Sequence, residues 1–312
     1  MIVIRGKNMS SFANLKRSSG SSIDKLSKAV ESMNSGGSNY NDGEDKYWKC
    51  EIDKSGNGYA IIRFLPTPPQ DGDDGLPFIK YYDHGFQAIG GWYIEKSLTS
   101  IGQQDPISSY NTELWNSGIE ANKDLARKQK RRLHYVSNVY IVKDPKHPEN
   151  EGQTFYFRYG KKIFEKITQA MNPQFEDDKA FDPFDLWTGA NFKLKIRKVD
   201  GYQNYDLSEF DSPGPLSDDD AELEAIWKKE HSLNEVIDPK NFKSYDELKS
   251  KLDRVLGLTS STTRNVPTVE GVKQQRIQEK ETQMEELIIP TSSGNIESED
   301  DLDYFSDLLK DD

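Results

Sequence analysis

The apolar residues of this chain come in short runs divided by turn formers, and no run approaches the ~20 residues that a membrane-crossing helix needs. Trp48, Cys50 and Ile52 alternate with Lys49 and Glu51, Gly56-Asn57-Gly58 follows, and Tyr59 to Leu65 resumes an apolar run that stops at Pro66. That order predicts a β-hairpin. Further strand-like runs lie at Gly91 to Ile94, Tyr135 to Val142, Thr154 to Tyr159 and Asn191 to Val199, separated by stretches such as Asp71-Gly72-Asp73-Asp74-Gly75. Short strands with irregular connections predict a small antiparallel barrel or sandwich. Helices are expected around it. Lys162 to Met171 carries Ile163, Phe164, Ile167, Ala170 and Met171 on one side and is stopped by Pro173, and the capping box Ser244-Tyr245-Asp246-Glu247 opens a second helix that Gly257 ends. The fold class is therefore mainly β with peripheral helices, an α+β arrangement.

Only 34% of the 312 residues are hydrophobic and the mean hydropathy is -0.83, too polar for a chain folded from end to end. Residues 1–45, rich in Ser, Gly and Asn, are expected to be a flexible basic arm with a short helical pattern at Ile23, Leu26, Ala29, Val30 and Met33. Residues 46–257 are expected to form the core, and 258–312 a flexible linker and acidic tail. The N-terminus lacks a signal peptide's cleavable apolar block. Cys50 is the single cysteine, which excludes an intrachain disulfide and a zinc site built of thiolates and fits a reducing, cytosolic setting.

Charge is partitioned along the chain. The formal net charge is -12, yet residues 121–167 hold 12 Lys/Arg against 5 Asp/Glu, whereas 281–312 holds 11 acidic residues against Lys310 alone. The basic stretch contains Lys130, Arg131 and Arg132 in a dense cluster and is laced with Tyr135, Phe157, Arg158, Tyr159 and Lys161. In Phe192-Lys193-Leu194-Lys195-Ile196-Arg197 a strand would send the apolar residues to the core and Lys193, Lys195 and Arg197 to the other face, about 6.6 Å apart, a spacing able to follow an extended phosphate backbone. An ordinary half-solvated strand gives the same pattern. Tyr202 and Tyr205 stand in a glycine-containing polar loop, where a ring is available for stacking. Cations that neutralise phosphates, together with rings on which bases rest, are what holding single-stranded nucleic acid requires.

Enzyme signatures are missing from the sequence. No Walker loop, dinucleotide glycine fingerprint or Gly-x-Ser-x-Gly elbow is present, and His84, His134, His147 and His231 show no metal spacing. Asp177-Asp178 and Asp218-Asp219-Asp220 read as solvated loops or helix starts, and Trp48, Trp92 and Trp187 as core. The acidic tail threads Leu302, Tyr304, Phe305, Leu308 and Leu309 among charges including Asp300 and Asp301, the pattern of a short partner-docking motif.

Several strings carry a resemblance. Asn57-Gly58-Tyr59-Ala60-Ile61-Ile62-Arg63-Phe64-Leu65-Pro66, Pro148-Glu149-Asn150-Glu151-Gly152, Arg158-Tyr159-Gly160-Lys161-Lys162-Ile163 and Gly201-Tyr202-Gln203-Asn204-Tyr205 resemble the single-stranded DNA-binding proteins of T-even-type bacteriophages, over about Tyr47 to Gly257. The resemblance implies an OB-fold core with a small subdomain. It also implies cooperative coating of single strands in replication, recombination and repair, in the cytoplasm of an infected bacterial host and with no membrane association. In that family a basic N-terminal arm contacts the neighbouring subunit, and Lys16-Arg17-Ser18-Ser19 is similar to it; members open almost directly with the arm, which makes Met9 the expected start. The resemblance further implies that the acidic tail engages phage replication and recombination proteins. The family's type member holds zinc with one His and three Cys. Here His84 matches the histidine, while Ser97, Ile107 and Tyr110 stand at the cysteine positions, so no zinc and no other cofactor is expected. The alternative readings are an RNA-binding translational regulator and a non-enzymatic interaction scaffold.

Overall fold

The alternation at Phe192–Arg197 becomes strand β7 (Asn191–Val199), with Phe192, Leu194 and Ile196 buried and Lys193, Lys195 and Arg197 on the opposite face. The computed structural model describes residues 11–18, 44–175 and 177–258. There β7 pairs antiparallel with β2 (Gly58–Phe64), β2 with β5 (Arg132–Lys143), and β5 with β6 (Thr154–Tyr159). β1 (Tyr47–Trp48) runs parallel to β6, and the short β8 (Tyr202–Asn204) and β9 (Glu209–Phe210) flank β7. β3 (Ile79–Ala88) pairs with β5 and folds back on β4 (Gly91–Lys96) as a hairpin. Phe64 sits where the rings converge, 5.6 Å from Tyr159 and 5.7 Å from both Phe184 and Phe192. Burying each such ring contributes roughly 1.5–3 kcal/mol, and edge-on or tilted contact adds about 0.5–1.5 kcal/mol per pair.

Helices close this mixed sheet. α1 is Phe12–Ser18, α2 Pro106–Asn116, α3 Glu120–Gln129, α4 Lys161–Met171, α5 Asp220–Lys228, α6 Leu233–Val236 and α7 Tyr245–Leu256. α4 lays Ile163, Phe164, Ile167 and Met171 on the main core, as its sequence pattern predicts. The Ser244/Glu247 capping box forms and Gly257 caps the far end of α7 in a left-handed conformation. A second apolar cluster, built from Phe86, Tyr93, Leu98, Ile107, Leu248, Leu252 and Val255, joins the β3–β4 hairpin to α2 and α7. The hairpin turn rests on α7: the Gly90 N–H donates to the Val255 carbonyl at 2.8 Å, and a Cβ at Gly90 would stand 2.1 Å from the Arg254 carbonyl oxygen.

Arg63 on β2 is the most deeply buried Lys or Arg of the described residues. One guanidinium nitrogen donates to the carbonyls of Asp185 at 2.8 Å and Gly214 at 2.9 Å, tying two connecting segments to the sheet. Burial lowers its pKa to about 10, against the opposing pull of Asp185 and Asp182, so it stays charged at neutral pH.

Several expectations are corrected. Tyr47–Ile52 and Tyr59–Leu65 do not form a hairpin. The turn exists, with Asp53 N–H donating to the Asn57 carbonyl, but β1 leaves it for β6. The reason is ring packing: Tyr47 meets Tyr156 at 5.1 Å and Trp48 meets Phe157 at 5.5 Å, while the Trp48 indole N–H donates to Asp144 at 2.8 Å. Cys50 consequently lies just past a strand, buried, with burial and Asp144 raising its pKa to about 11. Trp92 is 58% exposed on the hairpin instead of core. Asp219 does start a helix, its side chain accepting from the Ala221 N–H at the head of α5. The helical pattern at Ile23–Met33 and the tail lie outside the described residues.

Candidate nucleic-acid interface

A cleft of about 970 Å³ opens beside β6, between the main sheet, the root of the β3–β4 hairpin and the segment after α6. Its lining carries Lys46, Lys49, Lys96, Arg158 and Lys240 against Glu235 as the one carboxylate. The rings of Tyr47, Trp48, Tyr156, Phe157, Tyr159 and Tyr205 line the same cleft. Lys46 reaches Glu235 at 3.0 Å and Lys240 reaches Asp238 at 3.2 Å, exposed contacts of the kind that contribute little and that a phosphate can displace.

β6 places these groups by alternation. Phe157 and Tyr159 point into the core, while Arg158 is exposed on the other side. Arg158 donates to the Tyr81 hydroxyl at 3.3 Å. Tyr81 in turn lies beneath Lys96, whose Nζ is 4.8 Å from the ring centroid. Behind them Asp83 receives Arg132 at 2.7 Å and stands 3.1 Å from His134. Burial pushes the Asp83 carboxyl up, but these two partners outweigh it and hold the group at about 2. Arg132 lies across Gly85, where a Cβ would stand 2.3 Å from the guanidinium.

Of the sequence-predicted residues, Phe157, Arg158, Tyr159 and Tyr205 line the cleft. Arg132 stands behind it through Asp83, and Arg131 stacks over Tyr82 with its guanidinium carbon 4.2 Å from the centroid. Lys130 follows α3, and Lys161 begins α4 just beyond the lining residue Gly160. Tyr135 does not offer a face: it is 8% exposed and stacked on Phe164 at 3.9 Å. Tyr202 is 65% exposed but off the cleft.

The row on β7 is also elsewhere. Lys193, Lys195 and Arg197 turn away from Leu194 and Ile196, which line the cleft, and each meets an acid: Asp211 at 2.9 Å, Glu209 at 2.6 Å and Asp206 at 3.0 Å. The expectation that this row follows the phosphate backbone does not fit the cleft, because the segment after β8 returns beside β7 carrying the matching carboxylates.

Lys46, Lys49, Lys96 and Lys240 were missed. Lys46-Tyr47-Trp48-Lys49 is itself a basic and aromatic interleaving, a signal that the hairpin reading absorbed. Lys96 has no local signal, since its place depends on strands brought together from distant parts of the chain.

Lys16 and Arg17 lie in α1. This helix rests on the core, with the Phe12 ring 5.5 Å from Trp187 and 5.7 Å from Trp227, and with Lys16 paired to Asp220. Ser18 ends the helix and Ser19 lies outside the described residues, as do Asp300, Asp301, Leu302, Tyr304, Phe305, Leu308 and Leu309.

The four positions matched to a zinc site do not suit the metal. The His84 Nδ1–H donates to the Gln129 carbonyl at 2.9 Å, and burial lowers the pKa of the ring. Its Nε2 is 3.5 Å from Asp105, whose carboxylate accepts from the N–H groups of Leu98, Ile107 and Ser108. Ser97 is hydrogen-bonded to Thr99, and Ile107 is buried in the apolar cluster with Tyr110 packed against it. Among the described residues no three His, Cys, Asp or Glu side chains gather as a metal site.

Comparison with known proteins adds a family. A model described as gp32 DNA binding protein like matches residues 56–256. The single-stranded DNA-binding proteins of Enterobacteria phage T2 and Enterobacteria phage T4 are each 34% identical to the chain over 285 residues, 86% of this chain and 91% of theirs. That of Escherichia phage SV14 is 40% identical over 79 residues, 24% of this chain and 67% of its own.

Proposed function

The chain belongs to the gp32-like family of DNA-binding proteins, and from that premise we propose that it coats single-stranded DNA, holding the strand in the cleft beside β6. The observation that carries the reading is the lining itself: five Lys/Arg side chains against one carboxylate, above a floor of rings. Lys49 and Arg158 are the exposed cations best placed for backbone phosphates, and Tyr47 and Tyr205, only partly buried, are the rings with a face to give a base. Binding the single strand more tightly than the duplex lowers the free energy of the melted state, so the protein opens helices by mass action and needs no catalytic step. Strands β1, β2, β5, β6 and β7 are read as the OB-fold that carries the cleft.

Titrating poly-dT, poly-rU and duplex DNA side by side tests this. Tight binding to poly-dT with weak binding to duplex supports it, equal or tighter binding to poly-rU would move the reading to RNA, and binding to none would leave the scaffold.

Self-association is assigned to α1. The helix that covers Trp187 and Trp227 in its own molecule can occupy the same surface on a neighbour, an exchange of identical elements. On that reading Phe12→Ala weakens binding to a long poly-dT lattice and leaves binding to an oligonucleotide of one site unchanged. The acidic tail is read as a tethered polyanion that competes for the cleft and meets replication and recombination partners once DNA displaces it. Deleting residues 281–312 should raise DNA affinity, most strongly at low salt; unchanged affinity removes the competition. The subdomain is read as zinc-free, with Asp105 and its three backbone donors bracing the place of the metal. Elemental analysis should find no stoichiometric zinc, and a chelator should leave the melting temperature where it was. Its work is read as taking place in the cytoplasm of an infected bacterium, a reading supported by its similarity to phage proteins.

A further inference from the structure

Lys96 is unusual among the cleft cations. It ends β4 opposite Asp83 of β3, it is 8% exposed, and it nevertheless lines the cleft. Strands from four parts of the chain converge on it. β3 supplies Tyr81 beneath the Lys96 nitrogen and Asp83 beside it; β5 supplies Arg132 and His134, both directed at Asp83; β6 supplies Arg158, bonded to the Tyr81 hydroxyl. On β4 the neighbouring Glu95 is engaged by Lys243 and Lys251 from the side of α7. Elsewhere around the cleft Glu235 is held by Lys46. Arg132, His134 and Arg158 thus gather with Lys96 about Asp83 at the cleft wall, a corner rich in donors that faces the cleft.

We propose that this corner is a seat for one backbone phosphodiester of the bound strand, held between Lys96 and Arg158, and that filling it draws a proton from solvent onto the Lys96 amine. The proposal deepens the single-strand reading of the cleft and rests on it. The only group transferred is a proton, which moves from water or buffer to Nζ and neutralises part of the incoming charge.

Burial, and then the nearby Arg158, lower the Lys96 pKa to about 6, with Asp83 opposing in part. In the free protein at neutral pH and above the amine is therefore mostly uncharged. A phosphate close by favours the ammonium, so the bound pKa is the higher of the two. Between them affinity falls as pH rises, by at most about tenfold per pH unit for one linked proton, and below the free value of about 6 this dependence disappears.

The test is calorimetric titration of the full chain with oligothymidylate at about pH 7.5 in two buffers of different ionisation enthalpy, which reads the protons taken up on binding. The wild-type protein should take up about one proton per bound site. Lys96→Arg, charged throughout, should bind at least as tightly with the uptake and the pH dependence gone, while Lys96→Met should lose the uptake and about 5- to 10-fold in affinity. His134→Gln should keep the uptake. Binding without uptake in the wild type, uptake that survives in Lys96→Arg, or uptake that vanishes in His134→Gln each overturns the proposal and leaves the single-strand reading standing. Absence of oligothymidylate binding in every buffer sinks that reading and the seat with it.

Discussion

Replacing Lys49 and Arg158 together by Ala should lower the affinity for oligothymidylate by roughly 10- to 100-fold and flatten the plot of log affinity against log salt by about 1.4, two contacts at about 0.7 each. Both side chains are exposed at the cleft lining, so their loss should lower the melting temperature only by the little that the Arg158 bond to the Tyr81 hydroxyl contributes. The matching control is the triple change of Lys193, Lys195 and Arg197 to Ala. Those cations already answer Asp211, Glu209 and Asp206 on the far face of β7, and their removal should move affinity by no more than about twofold. Fluorescence titrations at four or five salt concentrations measure both. A larger loss in the triple variant than in the double one would put the strand on β7 and refute the cleft.

The second large effect concerns folding. Arg63→Met should destabilise the protein by about 3–5 kcal/mol, the range found when a buried charged group is removed from its partners. Its guanidinium holds the carbonyls of Asp185 and Gly214, and a thioether offers them no donor. In addition, the Gly189 backbone lies against this side chain, with a Cβ built there only 3.0 Å from the guanidinium nitrogen, so the segment is shaped around it. Denaturant unfolding followed by tryptophan fluorescence reads the change; a loss below about 1 kcal/mol would mean that solvent replaces the lost donor and that the segments are tied elsewhere.

What could be read from the residues followed the range of the interactions involved. β6, β7, α4 and α7 are written in local code, as alternation, a one-sided apolar stripe and a capping box, and they occur where that code puts them. β3 was missed because Lys80, Asp83 and His84 interrupt its apolar pattern. All three are buried, Asp83 beside Arg132 of the paired strand β5 and His84 against Gln129 at the end of α3, neighbours that distant parts of the chain supply. α2 and α3, poor in apolar residues, are likewise settled by contact with the subdomain rather than by periodicity. The candidate site divides in the same way. Arg158 and its flanking rings were legible as a basic, aromatic strand, whereas Lys96 and the acids opposite Lys193 and Lys195 depend on which strands meet. A cation's sign is in the sequence; whether that sign is already answered is a property of the fold.

The floor of the cleft has one further implication. Four of its rings have their polar atoms engaged: the Trp48 indole with Asp144, the Tyr159 hydroxyl with Ser137, the Tyr156 hydroxyl with the Ser232 carbonyl, and the Tyr205 hydroxyl with Gln203. A nucleobase laid there meets carbon surfaces and finds few free donors or acceptors along its Watson–Crick edge. Discrimination among the four letters needs such atoms, so on the single-strand reading proposed above these rings would treat adenine, cytosine, guanine and thymine almost alike.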